Sequence, residues 1–332
     1  MKSKRKILSS VMVVGSHTRG QIMTPLRIHY PVHTLNKQLL LPENMVLSTK
    51  TINTLISSNR QTSYKTYSLF DYGSVRKDIL ASLKEHHYPV IFADREKTNT
   101  ILGILADVHL MLPVLESLDY FKDCDMYTYR HILMVFALST LLSIDLLADK
   151  ADSDDLLREF LAGPAHDMGK ICVPLDILQK KIPITQRERN ILEHHALAGY
   201  VLLSYYYRDR RNFFARVARD HHERKNGSGY PRHIRLRDQL IEIVAAADVY
   251  DALISPRPYR PISYDNRTAL EEITTMAEGG QFRWKVVKAL VALNRESKPP
   301  LDDCFVSREK RGTPPPHNTY GIIAQGEDEG LI

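Results

Sequence analysis

The stretch TQRERNILEHHALAGYVLLSYYYRDRRNFFARVARDHHERKNGSGYP (185–231) decides the reading of this chain. Apolar residues recur at steps of three and four over 185–207 and again over 210–223, the period of one face of an α-helix. Gly227, Gly229 and Pro231 then break the pattern as a loop would. No βαβ alternation surrounds these segments, which argues against a parallel sheet and for an all-helical unit. His194 and His195 fall inside the helical pattern of 185–207, and His221 and His222 close that of 210–223.

The same style extends outward over 98–121 (interrupted by Pro113), 127–148, 154–163, 238–254, 265–278 and 283–294. Upstream, residues 8–60 read as short strands and turns, with VMVV (11–14) and LLLPENMVLS (39–48) as the extended pieces. A short helix follows from Thr49 to Ile56 and another over 74–91, with VIFAD (90–94) a strand or a buried turn. From about Glu296 the chain turns polar, and RGTPPPHNTYG (311–321) has the composition of a disordered tail. The expected fold is mainly α: a small β-containing α+β domain over 1–96, an all-helical catalytic domain over 97–296, and a tail over 297–332.

Composition narrows the class. The chain has 332 residues, 43% hydrophobic and 25% charged, as an ordinary globular protein does. A net charge of +6 suits an anionic ligand but does not by itself argue for a nucleic-acid polymer. Cys124, Cys172 and Cys304 are odd in number and far apart, which argues against a disulfide framework and for a reducing compartment. The start, MKSKRKILSSVMVVG, is basic then apolar but lacks a small-x-small cleavage pattern. The apolar runs read as too short for a membrane helix. A cytoplasmic location without a membrane span is the expectation.

Seven of the 14 histidines lie between 131 and 233, interleaved with carboxylates. Imidazole plus carboxylate without thiolate suits divalent iron, manganese or zinc, and a two-metal centre in particular. Asp167, next to His166, can bridge two metals, because neighbouring side chains can reach different ions. Such a centre suits in-line phosphoryl displacement.

HDMGK (166–170), His195, HHERKNGSGYP (221–231) and AADVYDALISPRPYR (246–260), with DMYTYRH (125–131) upstream, resemble the HD-GYP family of cyclic di-GMP phosphodiesterases, which are HD-domain metal-dependent phosphohydrolases. The resemblance implies an all-helical HD-type domain with two divalent ions, iron or manganese. His131, His166, Asp167, His195, His221, His222 and Asp248 would be the ligands, with Asp167 the bridge and part of the catalytic apparatus. Lys170 would stabilise developing negative charge beside the scissile phosphate. Gly227, Gly229, Tyr230 and Pro231 would border the substrate, and Arg257 and Arg260 would contact its phosphates. Between the two neighbouring histidines, spacing favours His195 as ligand and His194 as a surface residue. Asp251 is expected as a helix-structuring acceptor, and Glu223 as a group orienting a histidine.

Six positions depart from the family pattern. Asn226 stands where the family has Asp, Glu242 where it has Arg, and Arg283–Trp284 where it has Asp-Pro. Pro164 replaces an aliphatic residue and would kink or end a helix just before His166. Tyr127 replaces a Glu that binds a third metal in some members, which favours two metals. The implied activity is hydrolysis of cyclic di-GMP to pGpG, GMP or both. Alternatives are another cyclic dinucleotide as substrate, or a catalytically weak receptor for cyclic di-GMP or for GGDEF-domain proteins through the GYP loop. Pro164 and Glu242 favour the receptor.

Overall fold

A computed structural model describes residues 26–61, 63–147, 163–258, 260, 262–316, 323 and 324. The expected strand at 11–14 and all but Gly163 of the helix expected at 154–163 lie outside the described residues. Near the start, β1 (Val32–His33) and β2 (Leu39–Leu41) form an antiparallel hairpin. Helix α1 (Thr49–Ser58) follows, started by the Ser48 hydroxyl, which accepts from Thr51 N–H at 3.1 Å. That bond satisfies one of the orphan donors of the first turn. β3 (Thr66–Ser68) pairs antiparallel with β4 (His109–Met111). The expected helix over 74–91 resolves into α2 (Val75–Ser82), a turn, and the single-turn α3 (Tyr88–Ile91). VIFAD is therefore the end of a helical turn and not a strand.

The expected break at Pro113 lies earlier. Helix α4 (Arg95–Ala106) stops before β4, and Pro113 sits in the first turn of α5 (Leu112–Cys124), where its missing N–H has no partner to lose. Helix α6 (Met126–Leu147) is the central element: α2, α4 and α5 pack against it. By length and composition α6 could cross a membrane, with a mean hydropathy of 1.6, so an apolar run of that length does exist. In the fold 83% of that stretch is buried and the helix is core.

Two 3₁₀ turns, Gly163–Ala165 and Met168–Cys172, flank the His166–Asp167 pair. Pro164 therefore sits in a tight turn beside α6 and interrupts no described helix. Then come α7 (Leu175–Leu178), α8 (Gln186–Glu193), α9 (His195–Tyr207) and α10 (Phe213–Asp220). A capping box at Thr185 and Glu188 starts α8, and Arg208 ends α9 in the left-handed region. Helices α11 (Gln239–Ile254), α12 (Asn266–Glu278) and α13 (Trp284–Leu293) complete the bundle, α11 and α13 also lying on α6. One continuous apolar cluster runs from Ile28 through α6 to Cys304. Beyond α13 the chain lies along α12, where Glu271 accepts from the N–H groups of Arg311 (3.0 Å) and Gly312 (2.8 Å).

Two departures from the family pattern meet in space. Glu242, fully buried in the first turn of α11, accepts from the backbone N–H of Arg283 at 2.5 Å and from its guanidinium. Arg283 N-caps α13. A charge reversal at one position is matched by the opposite reversal at the other, so Glu242 is a neutralised buried carboxylate. Removing one partner strands the other charge. Arg283→Ala should lower stability by about 3 kcal/mol, read by thermal or denaturant unfolding. The exchanged pair Glu242→Arg/Arg283→Asp should be more stable than Glu242→Arg alone; a double variant no better than that single one would refute the pairing.

Candidate metal centre

Three backbones must approach closely for the centre to form, and small residues permit it. Gly169 packs on α9 so tightly that a Cβ there would lie 1.9 Å from His195 O and 2.4 Å from Gly199 N. A Cβ on Gly199 would in turn meet Ala218 Cβ of α10 at 3.0 Å. This stack draws His166–Asp167, His195 and His221 together.

The histidines are then aimed by one repeated device. His166 Nδ1–H donates to Gly163 O (2.6 Å), His195 Nδ1–H to Leu192 O (2.5 Å), and His221 Nδ1–H to Ala218 O (2.9 Å). Each acceptor is the carbonyl three residues back, in a tight turn or at a helix end, where carbonyls lack helical partners. With the proton fixed on Nδ1, each Nε2 presents a lone pair to the interior. His131 lies in the second turn of α6, and there the acceptor is a carboxylate: Nδ1–H donates to Asp251 Oδ2 at 2.5 Å. Its Nε2 lies 2.9 Å from Asp248 Oδ1.

All seven expected ligands converge. The ligand atoms of His195, His221 and His222 lie within 4.8 Å of one another, as do those of His131, His166 and Asp248. Asp167 stands between the two triads. Its Oδ1 is 3.4 Å from His195 Nε2 and 4.0 Å from His221 Nε2. Its Oδ2 is 3.4 Å from His166 Nε2 and 3.6 Å from His131 Nε2. One carboxylate thus faces a separate cluster with each oxygen.

The atoms fit cations. His166 Nε2 is fully buried without a hydrogen-bond partner. His222 Nε2 can donate to His195 Nε2 at 3.0 Å, but His195 Nε2 and His221 Nε2 lie 3.4 Å apart with both protons on Nδ1. Lone pairs that close repel unless a cation lies among them, and the all-N/O donor set suits iron, manganese or zinc. Burial pushes His195 down to about 4 and His221 to about 3, against the pull of Asp167. Burial also lowers His222 well below the usual range. Asp167 is held well below the usual carboxylate range against its own burial, with Lys170 and His166 beside it. These groups keep the ionisation state that metals require.

The other expected site residues distribute around this core. Lys170 Nζ donates to Asp167 Oδ2 at 2.6 Å. Gly229 is required by close approach, since a Cβ would lie 2.2 Å from His222 O, and Gly227 is left-handed at φ +86°. Tyr230, joined to Pro231 by a cis peptide, stacks on His222 with centroids 4.4 Å apart. Arg257 Nη2 approaches His131 Nδ1 (2.9 Å) and Asp251 Oδ2 (3.6 Å). Arg260 is buried, and its Nη2 donates to the carbonyls of Ala252, Leu253 and Ser255 at the end of α11.

Three expectations change. His194 is buried rather than on the surface, enclosed near His29 and Tyr30 of the N-terminal segment. Glu223 orients the loop rather than a histidine, accepting from the N–H groups of Arg232 (2.6 Å) and Ile234 (3.1 Å). Asp251 does more than structure its helix, since it holds His131. Tyr88, whose hydroxyl donates to Asp251, was invisible in the sequence because nothing local marks a pairing across 163 positions.

Residues 135–282 match the family model described as HD domain, a range that begins just after His131. The chain is 35% identical to a cyclic di-GMP phosphodiesterase of Thermotoga maritima over 192 residues, 56% of this chain and 49% of that protein. It is 38% identical to the cyclic di-GMP phosphodiesterase PA4108 of Pseudomonas aeruginosa over 53% of this chain and 41% of that protein. It is 33% identical to the 3'3'-cGAMP-specific phosphodiesterase 2 of Vibrio cholerae over 39% of this chain and 25% of that protein. The chain spans about half or less of the length of these relatives.

Gly169→Ala must push the HD turn off α9, so it should cost about 1–3 kcal/mol and strip divalent metal from the purified protein, as elemental analysis would read. Acid should also destabilise the metal-free protein. His195 and His221 titrate lower folded than at the ordinary 6.5, so the unfolded chain binds more protons below that pH. His166, raised although its burial opposes the rise, works the other way, but it is one group against three. The melting temperature of metal-free protein should therefore fall as pH drops from 6.5 toward 4; a flat profile there would contradict the buried, neutral histidines. The chain thus carries an HD-domain match over residues 135–282, and it is similar over part of its length to proteins named cyclic di-GMP and 3'3'-cGAMP phosphodiesterases.

Proposed function

We propose that the protein is a phosphodiesterase with a binuclear metal centre that hydrolyses cyclic di-GMP. The observation that carries this reading is the Asp167 carboxylate, each oxygen of which faces a different triad. His195, His221 and His222 with Oδ1 would hold one ion; His131, His166 and Asp248 with Oδ2 would hold the other. A pair of divalent cations, iron or manganese, supplies Lewis acidity and an activated water for attack on a phosphodiester.

The chain's own groups do the rest. His166, His195 and His221 are locked by their i−3 carbonyls, so the site is organised before substrate arrives. The least buried members are the side chains of His222 (18% exposed), Lys170 (13%), Asp248 (10%) and Arg257 (10%), which mark the edge where a phosphate can enter. Lys170 Nζ and the Arg257 guanidinium are the cations at that edge, suited to charge that grows on phosphate oxygens. Arg260 supports the loop that carries Arg257 by capping α11. Water adds its oxygen to phosphorus, the bridging ester oxygen leaves as a hydroxyl, and the ring opens to pGpG; a second hydrolysis gives GMP.

Pro164 and Glu242 no longer favour a weak receptor, since the proline lies in a 3₁₀ turn and the glutamate is paired with Arg283. The relative named for 3'3'-cGAMP supports a second substrate reading, because none of the ligands reads a base. Metal analysis with turnover of cyclic di-GMP and of 3'3'-cGAMP under anaerobic iron or manganese loading tests both. The His166→Ala/Asp167→Ala variant should lose metal and fall by at least about 100-fold in kcat. Nucleotide binding without turnover in the metal-loaded protein would sink the enzyme reading.

A further inference from the structure

His131 is the one histidine of the His131–His166–Asp248 triad that no backbone carbonyl can aim. It lies in the second turn of α6, where the carbonyls behind it are already engaged in the helix, so its orientation depends on Asp251. Asp251 is fully buried and needs donors on both oxygens. Oδ2 accepts from His131 and has Arg257 at 3.6 Å. Oδ1 accepts from the hydroxyls of Tyr88 and of Ser255, the latter at 3.1 Å. The Tyr88 and Ser255 oxygens are themselves 2.9 Å apart, closing a small network.

Tyr88 comes from α3, in the segment before the HD domain, and is 1% exposed. That segment is clamped to the helical unit on both sides. Asn266 Nδ2 donates to His87 O at 3.0 Å, and the Lys298 ammonium donates to Val90 O. Glu85 pairs with Arg130, the neighbour of His131. The hydroxyl is therefore presented to Asp251 from a fixed frame.

We propose that Tyr88 is a positioning residue for the metal ligand His131, acting through Asp251, and that the N-terminal segment thereby completes the metal centre. The proposal rests on the metal-centre reading given above. Without the hydroxyl, Oδ1 of Asp251 keeps only Ser255, the carboxylate can turn, and His131 loses the acceptor that fixes its tautomer and ring plane. The triad that includes His131 should weaken while the one built on His195, His221 and His222 should not.

The test is metal affinity by chelator competition, in parallel with the melting temperature of the metal-free protein. The control is Tyr250→Phe. Tyr250 is also fully buried on α11, but its hydroxyl donates to Asn294 Oδ1 at 2.8 Å, outside the ligand network. Tyr88→Phe should weaken one of two sites by about 10- to 100-fold, whereas Tyr250→Phe should keep wild-type affinity even if its melting temperature falls as far. Asp251→Asn should weaken the same site, and adding Tyr88→Phe to it should change affinity no further. Unchanged affinity in Tyr88→Phe, or equal losses in the two tyrosine variants, would overturn the proposal. A wild-type protein that takes up no divalent metal would instead overturn the metal-centre reading, and the proposal with it.

Discussion

The contact between Asp167 and two opposed sets of imidazoles is the constraint to which the surrounding structure answers. Five histidines and two aspartates share a nearly dry volume, and the Nε2 atoms of His195 and His221 face each other closer than neutral lone pairs favour. Burial penalises every charged form, so the cluster persists only if each ring is held from behind. The carbonyls of Gly163, Leu192 and Ala218 do this for three histidines and Asp251 for a fourth. Tyr230 covers a fifth by stacking. These restraints belong to turns and helix ends, the places where a backbone has acceptors to offer. His166, His195 and His221 are thus aimed by the backbone at turns and helix ends, while His131 and Asp248 project from inside α6 and α11.

That placement explains what was legible in the sequence. The seven expected ligands lie in short ordered motifs whose resemblance to a known family implied them, and all seven side chains converge. Helical periodicity likewise marked α6, α11, α12 and α13 closely, while the helix expected over 185–207 is divided at His194 into α8 and α9. What escaped was long-range or set by turns. Nothing in VIFAD distinguishes a helical turn from a strand, because apolar runs of that length suit either. His194 looked like a surface residue since its helical neighbour faces inward, but the segment around His29 and Tyr30 covers that side too. Tyr88 lies far upstream in a region without a motif, and only the fold lays its hydroxyl on Asp251.

The paired departures carry a related lesson. Taken singly, Glu242 reverses a charge close to the Asp248 helix and Arg283 discards an acidic helix start. In space they are partners, and the Arg283 guanidinium neutralises the buried Glu242 carboxylate. Buried charges are tolerated as pairs, so a lone substitution read from sequence overstates its damage whenever the compensating residue is distant. Pro164 is a parallel case, since proline disrupts a helix interior but suits a tight turn with no N–H to satisfy.

The distribution of charge around the centre is uneven, and this bears on how an anion would sit. Lys170 and Arg257 both lie on the side of Asp167 Oδ2 and His131. On the other side lie the stacked rings of His222 and Tyr230, with the Arg224 guanidinium turned back to donate to His221 O. Cationic donors suit non-bridging phosphate oxygens, while a flat aromatic edge suits a sugar or a base. A dinucleotide phosphate would thus lean toward the His131–His166–Asp248 triad, the same triad whose first member is oriented through Asp251 from the N-terminal segment. Any motion of that segment would be felt first at the triad beside which the phosphate charge is best stabilised.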